Sequence, residues 1–275
     1  MKLSTYHKSI GDETELYSKY HDGCYDKIYI SKVFAKSKIT VPWSKYEIGG
    51  SGYDISINLP NEIEHLYPDY DLYKINYAIG FITRGCTNNC TFCIVRKKEG
   101  LLHFNAPIEE FWKDQKEMLL LDNNILECKE AINELIKIRD FGIKLYLSQG
   151  FNIRTITNEN AKILSEIKLW KNKQWKFAWD NFGDEPKIMK GIEILDNAGI
   201  KRYQMMCYVL SGFNTSLKQD LYRIEKLDKM GIDPFVMPYD HTPNLRKLVR
   251  WCNRPQIRHK CSFLEYMKNC PNVNI

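Results

Sequence analysis

Six short apolar or aromatic runs, each followed by a helix-like segment, constrain this chain more than any other feature. The runs are Tyr77–Thr83, Met118–Asp122, Lys144–Ser148, Trp175–Asp180, Tyr203–Leu210 and Pro234–Tyr239. They are bounded by polar or glycine residues and read as strands. Between them Ile132, Leu135 and Ile136, then Ile163, Ile167 and Trp170, then Ile188, Ile192 and Leu195, then Leu217, Leu221 and Ile224 fall at helical spacing. Three of these helices end alike, in Gly142-Ile143, Gly199-Ile200 and Gly231-Ile232, where glycine can close the helix in a left-handed conformation and isoleucine starts the return. Asp184-Glu-Pro186 and Thr215-Ser216 supply matching start signals. Near-continuously apolar strands alternating with helices predict an α/β fold with a parallel sheet covered by helices. Six units rather than eight predict an open, partial (β/α)6 TIM-type barrel.

A chain of 275 residues with 44% hydrophobic content can bury a full core. The predicted organisation is a small α/β segment and linker over residues 1–75, the barrel over 76–240 and a helical extension over 241–275. No apolar run approaches membrane-spanning length, and the N-terminus lacks the apolar core of a signal peptide, so a cytoplasmic protein without membrane partners is expected. The net charge of +6 and a pI near 8.7 permit attraction to nucleic acid or phosphorylated metabolites, but the basic residues are spread along the chain without a dense block.

Nine cysteines, an odd number, fit metal ligation in a reducing compartment better than a disulfide framework. Three of them, Cys86, Cys90 and Cys93, have the spacing C-x3-C-x2-C in the run Phe81-Ile-Thr-Arg-Gly-Cys-Thr-Asn-Asn-Cys-Thr-Phe-Cys-Ile-Val95. Three thiolates on one short loop can hold three irons of a [4Fe-4S] cluster and leave the fourth iron without a protein ligand, whereas an electron-transfer ferredoxin supplies four. A structural zinc site completed by a distant ligand is the alternative, although paired C-x2-C knuckles are absent.

The loop resembles the signature of the radical S-adenosylmethionine superfamily, including the aromatic Phe92 just before the third cysteine. The resemblance implies that the methionyl amino and carboxylate groups of S-adenosylmethionine chelate the open iron. Reductive cleavage then yields a 5'-deoxyadenosyl radical that abstracts hydrogen from a substrate. It also implies the partial barrel and an external reductant such as flavodoxin or ferredoxin. Methyl or methylthio transfer is an alternative within the class, and a non-catalytic iron-sulfur or zinc module an alternative outside it. The substrate is open among nucleotides, peptides and small molecules.

Residues just past each strand are the candidate cofactor ligands, because α/β barrels gather their ligand groups there. Asp122, Asn123 and Asn124 follow the second strand, at a position similar to the superfamily's element for the amino group, without its usual Gly-Gly-Glu wording. Ser148 and Gln149, then Arg154, follow the third, where relatives hold ribose and pair an arginine with the carboxylate. Asp180 ends the fourth. Val209 and Gly212 lie in a turn resembling the superfamily's adenine-binding turn, and Pro238 and Tyr239 close the sixth strand where they can flank adenine.

The first 75 residues carry a helix over Tyr6–Glu15, a strand over Lys27–Phe34 and a strand over Tyr46–Tyr53 that enters a loop with Gly49, Gly50 and Gly52. They resemble a shortened form of the cobalamin-binding-like domain of one superfamily branch. The D-x-H-x-x-G motif is absent, since His7 and Gly11 have the wrong spacing, and no cobalamin is expected. In the tail, Cys252, Cys261 and Cys270 lack the close pairs of an auxiliary-cluster domain. Arg250, Trp251 and Arg254 form either a substrate-facing patch or a solvated helix that packs its tryptophan inward.

Overall fold

The computed structural model describes residues 1–21, 23–41 and 46–269, so Cys270 lies outside the described residues. The chain begins with helix α1 (Lys2–Ser9), strands β1 (Ile28–Ser31) and β2 (Tyr46–Gly49), and the short helix α2 (Asn61–Glu64). Helix α1 starts and stops earlier than the sequence predicts, because the Asp12 N–H turns back to the His7 carbonyl (3.0 Å) and ends it. Ser4 Oγ and Lys8 Nζ both reach Asp69 (2.6 and 2.8 Å), which fastens α1 to the linker. His7 bridges Asp12 (2.6 Å) and the Tyr29 hydroxyl (2.8 Å), joining α1 to β1. Strands β1 and β2 pair in parallel, Ile28 opposite Tyr46.

Next come β3 (Ala78–Gly80), β4 (Thr83–Arg84), α3 (Val95–Glu99), β5 (His103–Phe104) and β6 (Glu117–Leu120). Regular alternation follows: α4 (Lys129–Asp140), β7 (Lys144–Leu147), α5 (Asn158–Glu166), β8 (Trp175–Ala178), α6 (Glu185–Asn197), β9 (Met205–Ser211), α7 (Leu217–Lys229) and β10 (Asp233–Pro238). Helices α8 (Pro243–Cys252), α9 (Pro255–Arg258) and α10 (Phe263–Asn269) complete the described chain.

The six expected strands exist, as β3 and β6 to β10, but they do not form one barrel sheet. They form two three-stranded parallel sheets, in the orders β3-β6-β7 and β8-β9-β10. The break has a local cause. Helix α5 ends at Glu166, so Trp170 is not on the helix as its spacing predicts. Instead the Leu145 N–H donates to the Lys168 carbonyl (2.8 Å) and the Trp170 N–H to the Leu145 carbonyl (2.9 Å), which occupies the free edge of β7. The backbone of β8 bridges to this side of the molecule beyond β7, where the Phe151 N–H donates to the Lys176 carbonyl (3.0 Å). Gly150 permits that approach. Its φ is +93°, and a Cβ there would lie 2.6 Å from the Lys176 carbonyl oxygen.

The three glycine-closed helix ends are as the sequence predicts. Gly142, Gly199 and Gly231 have φ of +67°, +94° and +77°. The N–H of the isoleucine after each one returns to Ile138, Leu195 or Leu227 at 3.0, 3.1 and 3.0 Å, which satisfies last-turn carbonyls. Ser216 caps α7 reciprocally with Gln219.

One face of each strand packs under the helices. Met118, Leu120, Leu145, Leu147, Trp175, Phe177, Cys207, Val209 and Val236 join Leu135, Ile138, Leu164, Ile188, Ile192, Leu195, Ile224 and Leu227 in a single core. Leu217, predicted to face that core, is exposed, and the buried face of α7 instead includes Asp220 and Arg223. In the tail Trp251 is buried, its indole N–H donating to the Cys261 carbonyl (2.9 Å), so it packs inward and belongs to no substrate-facing patch. Cys252 is also in the core, where burial pushes its thiol up to about 12. Among the described residues no helix is long and apolar enough to cross a membrane.

Candidate functional site

The cysteines lie on an excursion between β4 and β5, and the structure closes that excursion at its base. These two short strands pair antiparallel, Thr83 opposite Phe104 and Arg84 opposite His103. The Cys86 N–H then donates to the Gly100 carbonyl (3.3 Å), Arg96 to the Cys86 carbonyl (2.9 Å) and the Cys93 N–H to the Cys90 carbonyl (3.1 Å). All three thiols are half-buried. Burial pushes the Cys90 thiol up, and the negative groups Asp180, Cys93 and Cys86 add to this while Arg154 opposes it. In a [4Fe-4S] site each cysteine thiolate ligates a different iron, and three half-buried cysteines on one braced loop are the donor set such a site needs. Among the described residues no three His, Cys, Asp or Glu side chains converge as a single-ion site requires.

Asp122 braces the loop from beneath. It is fully buried, and it accepts from the Thr83 N–H (2.5 Å), the Thr83 hydroxyl (2.6 Å) and the Ile82 N–H (3.3 Å). Burial lifts its carboxyl to about 6 despite those bonds. Asp122 is therefore a positioning group for the loop rather than a surface a ligand reaches. Asn123 donates to Glu99 (3.0 Å), whose carboxylate also accepts from the Gly85 N–H (3.0 Å) and from Arg84 (3.3 Å). Asn124 is buried between Thr87 (3.1 Å) and the Asn152 N–H (3.2 Å).

Glu127 gathers the Thr87 hydroxyl (2.5 Å), the Asn152 amide (2.7 Å) and the Thr155 hydroxyl (2.8 Å). Burial raises its carboxyl, but these bonds together with Asn124 outweigh that and leave it below the usual carboxylate value. Arg154 extends the same brace. Its Nε donates to Asn152 (2.9 Å), Nη1 to Asp184 (2.9 Å) and Nη2 to Asn88 on the cysteine loop (3.1 Å). A guanidinium has five N–H donors, and three of them are engaged.

The remaining predicted residues separate by exposure. Ser148 donates to the Leu120 carbonyl (3.1 Å) and is half-buried, while Gln149 is exposed beside it. Asp180 is half-buried, with its carboxyl raised by burial against the opposing pull of Arg223 and Arg154. Val209 is fully buried among the helices, so its side chain faces away from any ligand. The Gly212 N–H donates to Asp220 (3.2 Å). Phe92, Phe213 and Tyr239 form an aromatic chain, with ring centroids 5.2 Å apart for the first pair and 4.8 Å for the second. It links the cysteine loop to the residues after β9 and β10, and Pro238 ends β10 opposite Ser211.

Sequence reasoning missed Glu99, Thr87, Asn88, Asn152, Glu127, Asp184 and Phe213. Thr87 and Asn88 stand inside the cysteine run, Asp184 carried a helix-start signal and Phe213 stands beside Gly212 in the turn after β9, whereas Glu99, Asn152 and Glu127 carried no local signal. No protein-family model and no curated protein sequence matches this chain.

Proposed function

We propose that this chain is a radical S-adenosylmethionine enzyme in which Cys86, Cys90 and Cys93 hold a [4Fe-4S] cluster whose fourth iron takes S-adenosylmethionine. The observation that carries this is the C-x3-C-x2-C loop, braced at its base by β4 and β5 and tied through Asn88 to Arg154. When bound, the cluster and cofactor supply one-electron cleavage of the sulfonium and hydrogen abstraction from a substrate.

The protein's own residues position and shield. Arg154, fixed by Asp184, Asn152 and Asn88, keeps free N–H donors for the methionyl carboxylate. Ser148 and Gln149 offer hydroxyl and amide groups to the ribose. Asp180, within electrostatic reach of Cys90, is available to the amino group, a role that the burial of Asp122 leaves open. Phe92, Phe213 and Tyr239 provide rings against which an adenine packs and which exclude water from the loop. A reductant such as flavodoxin or ferredoxin delivers the electron.

Anaerobic reconstitution tests the proposal. About four irons per chain are expected, with a reduced-cluster EPR signal that changes on adding S-adenosylmethionine and formation of 5'-deoxyadenosine. A cluster indifferent to S-adenosylmethionine, or zinc as the sole metal retained, would place the chain among non-catalytic modules.

A further inference from the structure

Strand alternation puts Leu145, Leu147, Trp175, Phe177, Cys207 and Val209 under the helices and directs Tyr146, Lys176, Tyr208 and Phe235 to the opposite face. A lysine here is unusual, since lysines are almost never buried without a counter-charge. Lys176 is only 9% exposed. Its ammonium donates to the Tyr146 hydroxyl (2.6 Å) and to the Ser148 carbonyl (3.2 Å), and among the described residues it has no carboxylate partner. It stands 4.5 Å from the centre of the Tyr146 ring and 5.7 Å from that of Tyr208. The Tyr208 hydroxyl donates to the same Ser148 carbonyl (3.3 Å), and Phe235 meets the Tyr208 ring edge-on at 5.8 Å. Lys173 adds a second cation 4.5 Å from the Tyr146 ring.

An ammonium has three N–H donors, and the two bonds found here leave one. Phenol faces and a carbonyl dipole solvate the charge without neutralising it, and a buried cation favours an anionic partner over a neutral one. The cation also lies beside Ser148, at the C-terminal end of β7.

We propose that Lys176 receives an anionic oxygen of the substrate, from a phosphate or a carboxylate, while the adjoining part of the substrate lies against Tyr208 and Phe235. The placement of this site beside the cofactor rests on the radical-enzyme proposal; the anion preference does not.

Equilibrium binding of phenyl phosphate, benzoate and the neutral benzyl alcohol to the full chain, with and without reconstituted cluster, tests it. Both anions should bind at least about tenfold more tightly than benzyl alcohol, the ratio expected of one charge-assisted hydrogen bond. The tighter of the two identifies phosphate or carboxylate as the group received. Lys176→Met should abolish the preference, Lys176→Arg should keep most of it, and Lys171→Met, at an exposed lysine, should leave it unchanged. Equal binding of anions and alcohol by the wild type, binding of none of the three, or an undiminished preference in Lys176→Met would overturn the proposal. Anion preference without 5'-deoxyadenosine formation would remove the radical chemistry and keep the anion site; the converse result would remove the site alone.

Discussion

Replacing Arg223 by methionine should be among the most damaging single changes outside the cysteine loop. Arg223 and Asp220 are 0% and 1% exposed and pair at 2.6 Å. The guanidinium also donates to the carbonyls of Trp179, Asp180 (3.0 Å) and Leu210 (2.7 Å), tying the ends of β8 and β9 together. Methionine fills similar volume but leaves a buried carboxylate without its counter-charge and three carbonyls without a donor. Breaking a buried pair from one side costs about 3–5 kcal/mol. At about 2–4 °C per kcal/mol for a chain of this size, the melting temperature should fall by roughly 6–20 °C. Thermal and urea unfolding followed by circular dichroism at neutral pH would measure it. Adding Asp220→Leu removes the stranded charge, so the double variant should be less destabilised than the sum of the two single changes by at least about 1 kcal/mol. Asp220 also accepts from the Gly212 N–H and the Thr215 hydroxyl (3.2 and 2.6 Å), so the single variant should raise the KM for S-adenosylmethionine while iron content stays constant. A cost of Arg223→Met below about 1 kcal/mol, or strict additivity in the cycle, would refute the buried-pair account.

Asp122→Asn should change how stability depends on pH. Burial raises this carboxyl from 3.8 to about 6, so its favourable contribution is full below about pH 4 and is lost as pH rises through 6, by about 3 kcal/mol in all; urea midpoints at pH 4.5 and 7 should show about 2 kcal/mol of that loss in the wild type and not in the variant, and parallel profiles would refute it. Gly150→Ala places a side chain at φ +93° with its Cβ 2.6 Å from the Lys176 carbonyl, and should cost about 1–3 kcal/mol in the same assay, whereas a neutral result would mean that β8 can shift away. Glu127→Ala releases Thr87, Asn152 and Thr155 at once. It should lower the iron retained per chain after reconstitution more than it lowers the melting temperature, and unchanged iron retention would show that the loop holds its shape without this brace.

Much of the fold was legible because its signals are local. Each strand is a short run of mostly apolar residues that packs alternate positions under the helices, and each Gly-Ile pair ends a helix through φ values that glycine alone reaches easily, so composition over a few residues sufficed. The break between the two sheets was not legible. It depends on Leu169 and Trp170 leaving helical spacing to pair with Leu145, a choice made by an edge that belongs to another segment. Helix α7 misled in the opposite way: Leu217 fits the apolar stripe but sits at the first helical position and is exposed, while Arg223 fits a solvated face but is buried because three strand-end carbonyls require a donor.

The same distinction governs the site. In sequence, a polar residue just past a strand is equally suited to hold a ligand or to hold the neighbouring loop, because both tasks require a donor or acceptor at the same height above the sheet. Burial separates them. Asp122 and Asn124 have no exposed surface to offer, and their hydrogen bonds run to Ile82, Thr83, Thr87 and Asn152. Arg154 is intermediate, braced on three sides with N–H donors left over, as a group that must present a fixed fork to a carboxylate needs to be. Ser148, Gln149 and Asp180 remain open. The charges that look like ligands in the sequence therefore divide into a buried set that fixes the cysteine loop and an open set that can meet a cofactor. Variants of the first set should act on cluster retention and stability, and variants of the second on the affinity for S-adenosylmethionine alone.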